Sequence, residues 1–320
     1  MKILVLGGTR LVGRGFVEAA LAAGHTLTLF HRGQTHPGRF PEVERLIGDR
    51  DGDLSALRGR TWDAVFDPSA SQPHRVAASV ELLRDRVETY CFVSSVSVYA
   101  GPVASDERSA LARWDGSSGA VTNDNYGGYK ARCEEIVAEA FPSRHIVLRL
   151  GLVIGPYDES QRYNVWVQRI AQGGEILAPG PDDAPVQLID GRDAGAFAVG
   201  LLERGGGGPY NLCGPVLRMD EVLEATRQGV GAAVRWAWAD HDWLLAQGLK
   251  PWEELPLWTA PEDRWLWRLD HARALAAGLR CRPLADSARD ALAWERTRET
   301  PTRSTLEPEV ERAIIARIPR

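Results

Sequence analysis

The segment Gly7-Gly8-Thr9-Arg10-Leu11-Val12-Gly13 constrains this chain more than any other. It follows a short apolar run, Lys2 to Leu6, and opens an alanine-rich helical pattern from Val12 to Ala23 that stops at Gly24. A second apolar run, His25 to Phe30, comes next. Strand, glycine turn, helix and strand in that order make a βαβ unit, with parallel strands and a right-handed crossover. Glycines at such a turn allow a tight bend and let a pyrophosphate approach the backbone at the helix N-terminus. Gly7, Thr9, Arg10, Leu11 and Gly13 are therefore the expected dinucleotide contacts.

The alternation continues beyond this unit. Strand-like runs are expected at Arg45–Ile47, Trp62–Phe66, Thr89–Ser94 and His145–Leu150, and helices at Arg75–Leu83 and Asn125–Ala140. Strands this continuously apolar suit a sheet covered on both faces. The expected fold class is α/β, a doubly wound parallel (Rossmann) sheet followed by a smaller, mostly helical C-terminal substrate lobe. Helices are also expected at Asn164–Gln172 and Asp193–Glu203, with a strand at Val186–Ile189 between them and a flexible boundary at Gly205–Gly208. The expected division gives 1–157 and 186–204 to the dinucleotide domain, and 158–185 and 209–300 to the lobe. Residues 301–320 form a tail whose one signal is an amphipathic helix from about Glu309 to Ile318. Eight of the eleven tryptophans fall after Gly208, where they suit either the core of the lobe or an aromatic or apolar substrate.

Cofactor choice is read from the second strand, which ends Leu29-Phe30-His31-Arg32. A site built for NAD(H) places an Asp or Glu near here for the ribose 2′-hydroxyl. None is present, Arg32 follows instead, and Arg10 occupies the usual middle glycine of the turn. Two arginines and no carboxylate favour a 2′-phosphate, hence NADP(H) over NAD(H). Asp49, after the third strand, is either an adenine contact or a loop cap.

Tyr126-Gly-Gly-Tyr-Lys130 opens a helix, with Tyr126 and Lys130 four apart on one face. An ammonium beside a phenol favours the phenolate, which makes the tyrosine a workable acid or base. The lysine can also hold the nicotinamide ribose. The fifth strand ends Ser94-Ser95, which puts a hydroxyl where ligands bind in such sheets. Ser95, Tyr126 and Lys130 are the expected catalytic residues.

Composition excludes some partners. A formal net charge of −5 makes a poor binder of phosphate backbones, so nucleic acid is not expected. Four scattered cysteines form no C-x-x-C pair, and neither disulfides nor a metal are expected. No apolar run is long enough to span a bilayer and no leader pattern opens the chain, which gives a cytoplasmic expectation without a membrane partner. The sequence does not set the oligomeric state; a homodimer is one option.

GGTRLVG, SSVSVY, YGGYK, RLGLVIGP and YNLCGP, in that order, resemble the extended short-chain dehydrogenase/reductase family, also called the NAD-dependent epimerase/dehydratase family. The resemblance covers about residues 1 to 215 well and the remainder loosely. It implies that Ser95 takes the active-site Ser/Thr position and that Tyr126 and Lys130 are the catalytic pair. The GGTR turn also resembles a branch that includes chloroplast stem-loop RNA-binding proteins. Family dehydratases carry an Asp-Glu pair where this chain has Val96 and Ser97, and nucleotide-sugar epimerases an arginine where it has Val186. These departures, with the intact Ser95, Tyr126 and Lys130 and the two arginines, favour an NADP(H)-dependent reductase of a small carbonyl compound. The alternatives are an epimerase acting through a transient ketone and a non-catalytic, RNA-associated protein on the same fold.

Overall fold

The computed structural model describes residues 1–101, 106–116, 119–300, 302 and 305–319. In chain order it holds β1 (Lys2–Leu6), α1 (Leu11–Ala22), β2 (Thr26–His31), β3 (Glu44–Ile47), β4 (Trp62–Asp67), α2 (Pro73–Leu83), β5 (Val87–Ser95), α3 (Asn123–Ala140) and β6 (His145–Leu150). There follow β7 (Leu152–Ile154), α4 (Asn164–Ala171), β8 (Gly174–Pro179), β9 (Pro185–Asp190), α5 (Gly191–Arg204), β10 (Gly208–Leu212), β11 (Val216–Arg218), α6 (Met219–Val230) and β12 (Val234–Ala239). The last elements are α7 (His241–Ala246), α8 (Ala272–Ala276), α9 (Leu284–Glu295) and α10 (Pro308–Ile315). Within the expected tail, 301, 303–304 and 320 lie outside the described residues.

Two compact units divide the chain. The first comprises Met1–Gly151, Gly191–Cys213 and Leu269–Arg280. Its sheet has seven strands in the order β10-β6-β5-β4-β1-β2-β3, all parallel. Strand order reverses between β1 and β4, which puts the ligand crevice of such a sheet at the carboxyl ends of these strands. Ile3, Leu4, Val5, Ala64, Val65 and Phe66 are wholly buried, as strands covered on both faces must be. Helices α1 and α5 pack at glycines: a Cβ on Gly15 would lie 2.5 Å from the Gly191 carbonyl, and one on Gly195 2.3 Å from the Gly15 carbonyl carbon. Gly205–Gly208, expected as a flexible boundary, instead leads into β10, the edge strand that pairs with β6. The pairing of Tyr210, Asn211 and Leu212, all buried, with Leu148, Arg149 and Leu150 outweighs the local flexibility of the glycine run.

The second unit comprises Leu152–Asp190, Gly214–Arg268 and Cys281–Arg320. Helices α4, α6 and α9 pack together there, beside the strand sets β11-β9-β7 and β12-β8. Its strand β9 differs from the expected division, which gave Val186–Ile189 to the dinucleotide domain; β9 pairs with β7 and β11 instead. Trp166, Trp258 and Trp267 are buried in its core, and Trp236, Trp238 and Trp243 pack against it. These six indoles therefore serve the packing of the unit. Among the described residues, no helix is long and apolar enough to cross a membrane. No group of three or more His, Cys, Asp or Glu among them is arranged to hold a metal ion.

Candidate functional site

The turn after β1 owes its shape to three glycines with different duties. Gly7 and Gly8 have φ of +119° and +96°, a region that side-chain-bearing residues rarely adopt. A Cβ on Gly13 would sit 3.0 Å from the Gly8 Cα, so Gly13 lets the helix close onto the turn. Arg10 is the N-cap of α1 with an extended backbone (φ −124°, ψ 152°), which needs no glycine, and its side chain is exposed. No side chain caps this helix and its first turn holds no carboxylate, so N–H groups there suit a phosphate. Thr9 is largely buried and Leu11, at φ +26°, starts the helix.

On the adenosine side, Arg32 is exposed just beyond β2, and His31 Nδ1 accepts from the Gly33 N–H at 2.9 Å. Burial, helped by Arg45, lowers the His31 pKa. Asp49 Oδ1 accepts from the Asp51 N–H at 3.1 Å, and the Asp49 and Asp53 backbones form a bridge. The carboxylate thus caps its own loop. A cleft of about 560 Å³ opens beside α1, with Arg14 and Arg39 in its lining. Arg14 already donates to Glu18 at 2.7 Å.

Ser95 ends β5 and caps a short 3-10 turn, its Oγ accepting from the Ser97 N–H at 3.1 Å and donating to the Ser97 hydroxyl. Helix α3 begins at a capping box of Thr122 and Asn125. It reaches the serine turn through glycine: a Cβ on Gly127 would stand 2.2 Å from the Ser97 carbonyl, and one on Gly128 2.8 Å from that of Arg113. This close approach sets the start of α3, which carries the half-buried Tyr126, against the turn after β5. One turn further on, Lys130 is buried, its ring-facing ammonium 4.1 Å from the centroid of Phe92. Its Nζ donates to the Val93 carbonyl at 2.6 Å and to the Ala70 carbonyl at 2.7 Å. Burial brings its pKa down to about 8.

Two buried ion pairs adjoin these residues and were not evident in the sequence. Arg50 Nη1 and Nη2 donate to the two carboxylate oxygens of Asp67, at 2.6 and 2.8 Å. Arg149 donates to Glu134 and to the hydroxyl of Tyr99, which in turn donates to Asn211. A lone arginine inside the apolar strand His145–Leu150 is a sequence signal for such a partner, because a buried guanidinium needs one. For Arg50 the loop offered no comparable signal.

No family model matches the sequence. The fold matches that of WbmH from Bordetella bronchiseptica, crystallised with NAD+ (TM-score 0.68, 17% identity, 92% of this chain and 98% of that one). It also matches UDP-glucose 4-epimerase from Thermus thermophilus in complex with NAD (0.65, 20%, 93% and 99%). This likeness is one of fold, a Rossmann-type parallel α/β sheet. Two curated relatives share sequence with the chain. The chloroplast stem-loop binding protein of 41 kDa b of Arabidopsis thaliana is 32% identical over 114 residues, 31% of this chain and 30% of that protein. The 2′-dehydrokanamycin reductase of Streptomyces kanamyceticus is 27% identical over 213 residues, 63% of this chain and 58% of that protein. The matched part thus spans less than two thirds of either relative.

Proposed function

We propose that this chain is an NADP(H)-dependent oxidoreductase that reduces a carbonyl-type group of a small molecule. The observation that carries the reading is the buried ammonium of Lys130, one helical turn from Tyr126, held by the main-chain carbonyls of Ala70 and Val93. The open first turn of α1 and the close approach of Gly13 to Gly8 fit a dinucleotide phosphate. A bound nicotinamide supplies the hydride. Tyr126 gives the proton to the carbonyl oxygen, Ser95 donates a hydrogen bond to that oxygen, and Lys130 favours the phenolate left behind. Gly7, Thr9, Leu11 and Gly13 would hold the pyrophosphate, and Lys130 the nicotinamide ribose.

The preference for NADP(H) rests on Arg10 and Arg32, both exposed, and on the lack of a carboxylate at the end of β2. The NAD complexes of fold relatives support a nicotinamide dinucleotide in general. The match to a 2′-dehydrokanamycin reductase supports reduction, while the epimerases among the fold relatives favour, as the second reading, epimerisation through a transient ketone. The deciding experiment follows NADPH absorbance across a panel of small ketones and aldehydes. Stoichiometric loss of absorbance supports a reductase. Conversion of a secondary alcohol to its epimer, with the oxidised cofactor neither consumed nor accumulated in reduced form, supports the epimerase.

A further inference from the structure

The buried pair Arg50–Asp67 stands behind Lys130 and has no place in the chemistry proposed above. Asp67, the last residue of β4, is fully buried. Its carboxylate is saturated. One oxygen accepts from Arg50 Nη1 (2.6 Å) and the Ser69 N–H (3.3 Å), the other from Arg50 Nη2 (2.8 Å) and the Tyr90 hydroxyl (2.8 Å). The guanidinium is fixed in turn by α2, where Ser79 Oγ accepts from Nε at 3.0 Å. A buried ion pair is a poor source of stability, since desolvation offsets most of the attraction, but it holds geometry.

The geometry it holds is the turn from Asp67 to Ala70. Ser69, whose N–H is bound by Asp67, donates its hydroxyl to the Leu6 carbonyl at 2.6 Å, directly before the dinucleotide turn. A Cβ on Gly7 would meet the Ser69 side chain at 3.4 Å. One residue on, the Ala70 carbonyl takes the Lys130 ammonium. A single short turn therefore links the phosphate-binding loop to the lysine, and Asp67 sets its shape.

We propose that Arg50 and Asp67 are positioning residues that hold the Asp67–Ala70 turn so that Lys130 and the glycine turn meet one dinucleotide together. The proposal rests on the reading of Lys130 as a dinucleotide contact. The groups around the ammonium act on it in opposite directions. Cys133 and Glu134 from its own helix and Asp67 from β4 raise its pKa, Arg50 from the loop after β3 lowers it, and Phe92 of β5 covers it. Asp67 weighs more than Arg50, so loss of its charge takes the lysine pKa further down.

The test measures the Kd for NADPH by fluorescence titration between pH 7 and 9.5, with Tm, for the unmodified protein and three variants. These are Lys130→Ala, Asp67→Asn, and the triple variant Arg50→Met with Asp67→Leu and Tyr90→Phe, which leaves no member of the group buried without its partner. In the unmodified protein binding weakens as pH rises through the lysine pKa. Asp67→Asn should weaken binding at pH 7 about tenfold and move that midpoint to lower pH. The triple variant should fold with a Tm near that of the unmodified protein, yet bind about tenfold more weakly. A folded Asp67→Asn or triple variant with unmodified Kd and midpoint, beside a weakened Lys130→Ala, overturns the positioning role and spares the functional reading. If Lys130→Ala binds NADPH as the unmodified protein does, the functional reading fails and the positioning role falls with it. A lowered Tm with Kd and midpoint unchanged marks a purely structural pair and also overturns the proposal.

Discussion

Lys130 donates its ammonium proton to the main-chain oxygen of Ala70 at 2.7 Å, so the residue is held by the turn after β4 as well as by its own helix. Lys130→Ala leaves two buried carbonyls, Ala70 and Val93, without this donor. A buried acceptor without a partner costs about 1–3 kcal/mol, so the variant should melt at a lower temperature. Loss of a charge-assisted bond to the nicotinamide ribose adds a second effect, a rise of about 10-fold or more in the Kd for NADPH. Thermal melts and cofactor titrations on the same sample separate the two.

Arg32 is exposed just beyond β2, whose end carries no carboxylate. If it binds a 2′-phosphate, Arg32→Ala should weaken NADPH binding by about 1.5–3 kcal/mol and leave NADH binding nearly unchanged. Arg10→Ala should do the same more weakly, because its backbone already caps α1. Equal affinities of the unmodified protein for NADPH and NADH would remove the argument.

Much of this was legible because the first unit is locally determined. The βαβ opening, the six first strands and the helices between them follow from apolar runs and glycine stops, and His145–Leu150 is bounded as the run predicts. Strands β11 and β12 were not foreseen: Val216–Arg218 is three residues long, and Val234–Ala239 (VRWAWA) pairs with β8, 60 residues away in sequence at Val234 and Gly174. In the site, Tyr126 and Lys130 could be read from helical spacing. The glycines that bring α3 to the Ser95 turn, and the Arg50–Asp67 pair, depend on long-range approach and leave no periodic trace.

The α1–α5 contact predicts a packing effect. A methyl group at Gly15 would enter the Gly191 carbonyl at 2.5 Å, and backbone cannot yield as a flexible side chain does. Gly15→Ala should destabilise the protein by about 3 kcal/mol, at the upper end of overpacking costs, although alanine is the better helix former. Chemical denaturation with an unchanged m-value is the check; a stabilised variant would mean that the helices lie further apart.

Asp158 gives a pH prediction in the second unit. Its side chain is buried, its Oδ2 has no hydrogen-bond partner, and burial raises its pKa despite two bonds from Ser160. A carboxyl whose folded pKa lies above the unfolded one favours the fold below the unfolded pKa, and that support is lost as pH rises through the folded pKa. At pH 7 the ionised group therefore carries a burial cost. Asp158→Asn removes it and keeps an acceptor for the Ser160 bonds. The variant should be more stable by about 1 kcal/mol at pH 7, with the gain shrinking toward pH 4. Melting curves at several pH values decide it.

Tyr126 carries the chemical proposal. Its ring is half-buried on α3, beside glycines that let the helix touch the Ser95–Ser97 turn. Tyr126→Phe keeps the ring and its packing and removes only the hydroxyl. Folding and NADPH affinity should therefore stay near the unmodified values. Turnover should fall by about 10²–10⁴-fold, the range for loss of a positioned proton donor. Single-turnover hydride transfer with any ketone that the unmodified protein reduces is the measurement. Ser95→Ala should cost less, since a hydrogen bond to the substrate oxygen can be replaced by water while proton donation from a positioned phenol cannot. If Tyr126→Phe turns over at the unmodified rate, another acid does the work or the chain is not a reductase of this type, and the non-catalytic reading moves to first place.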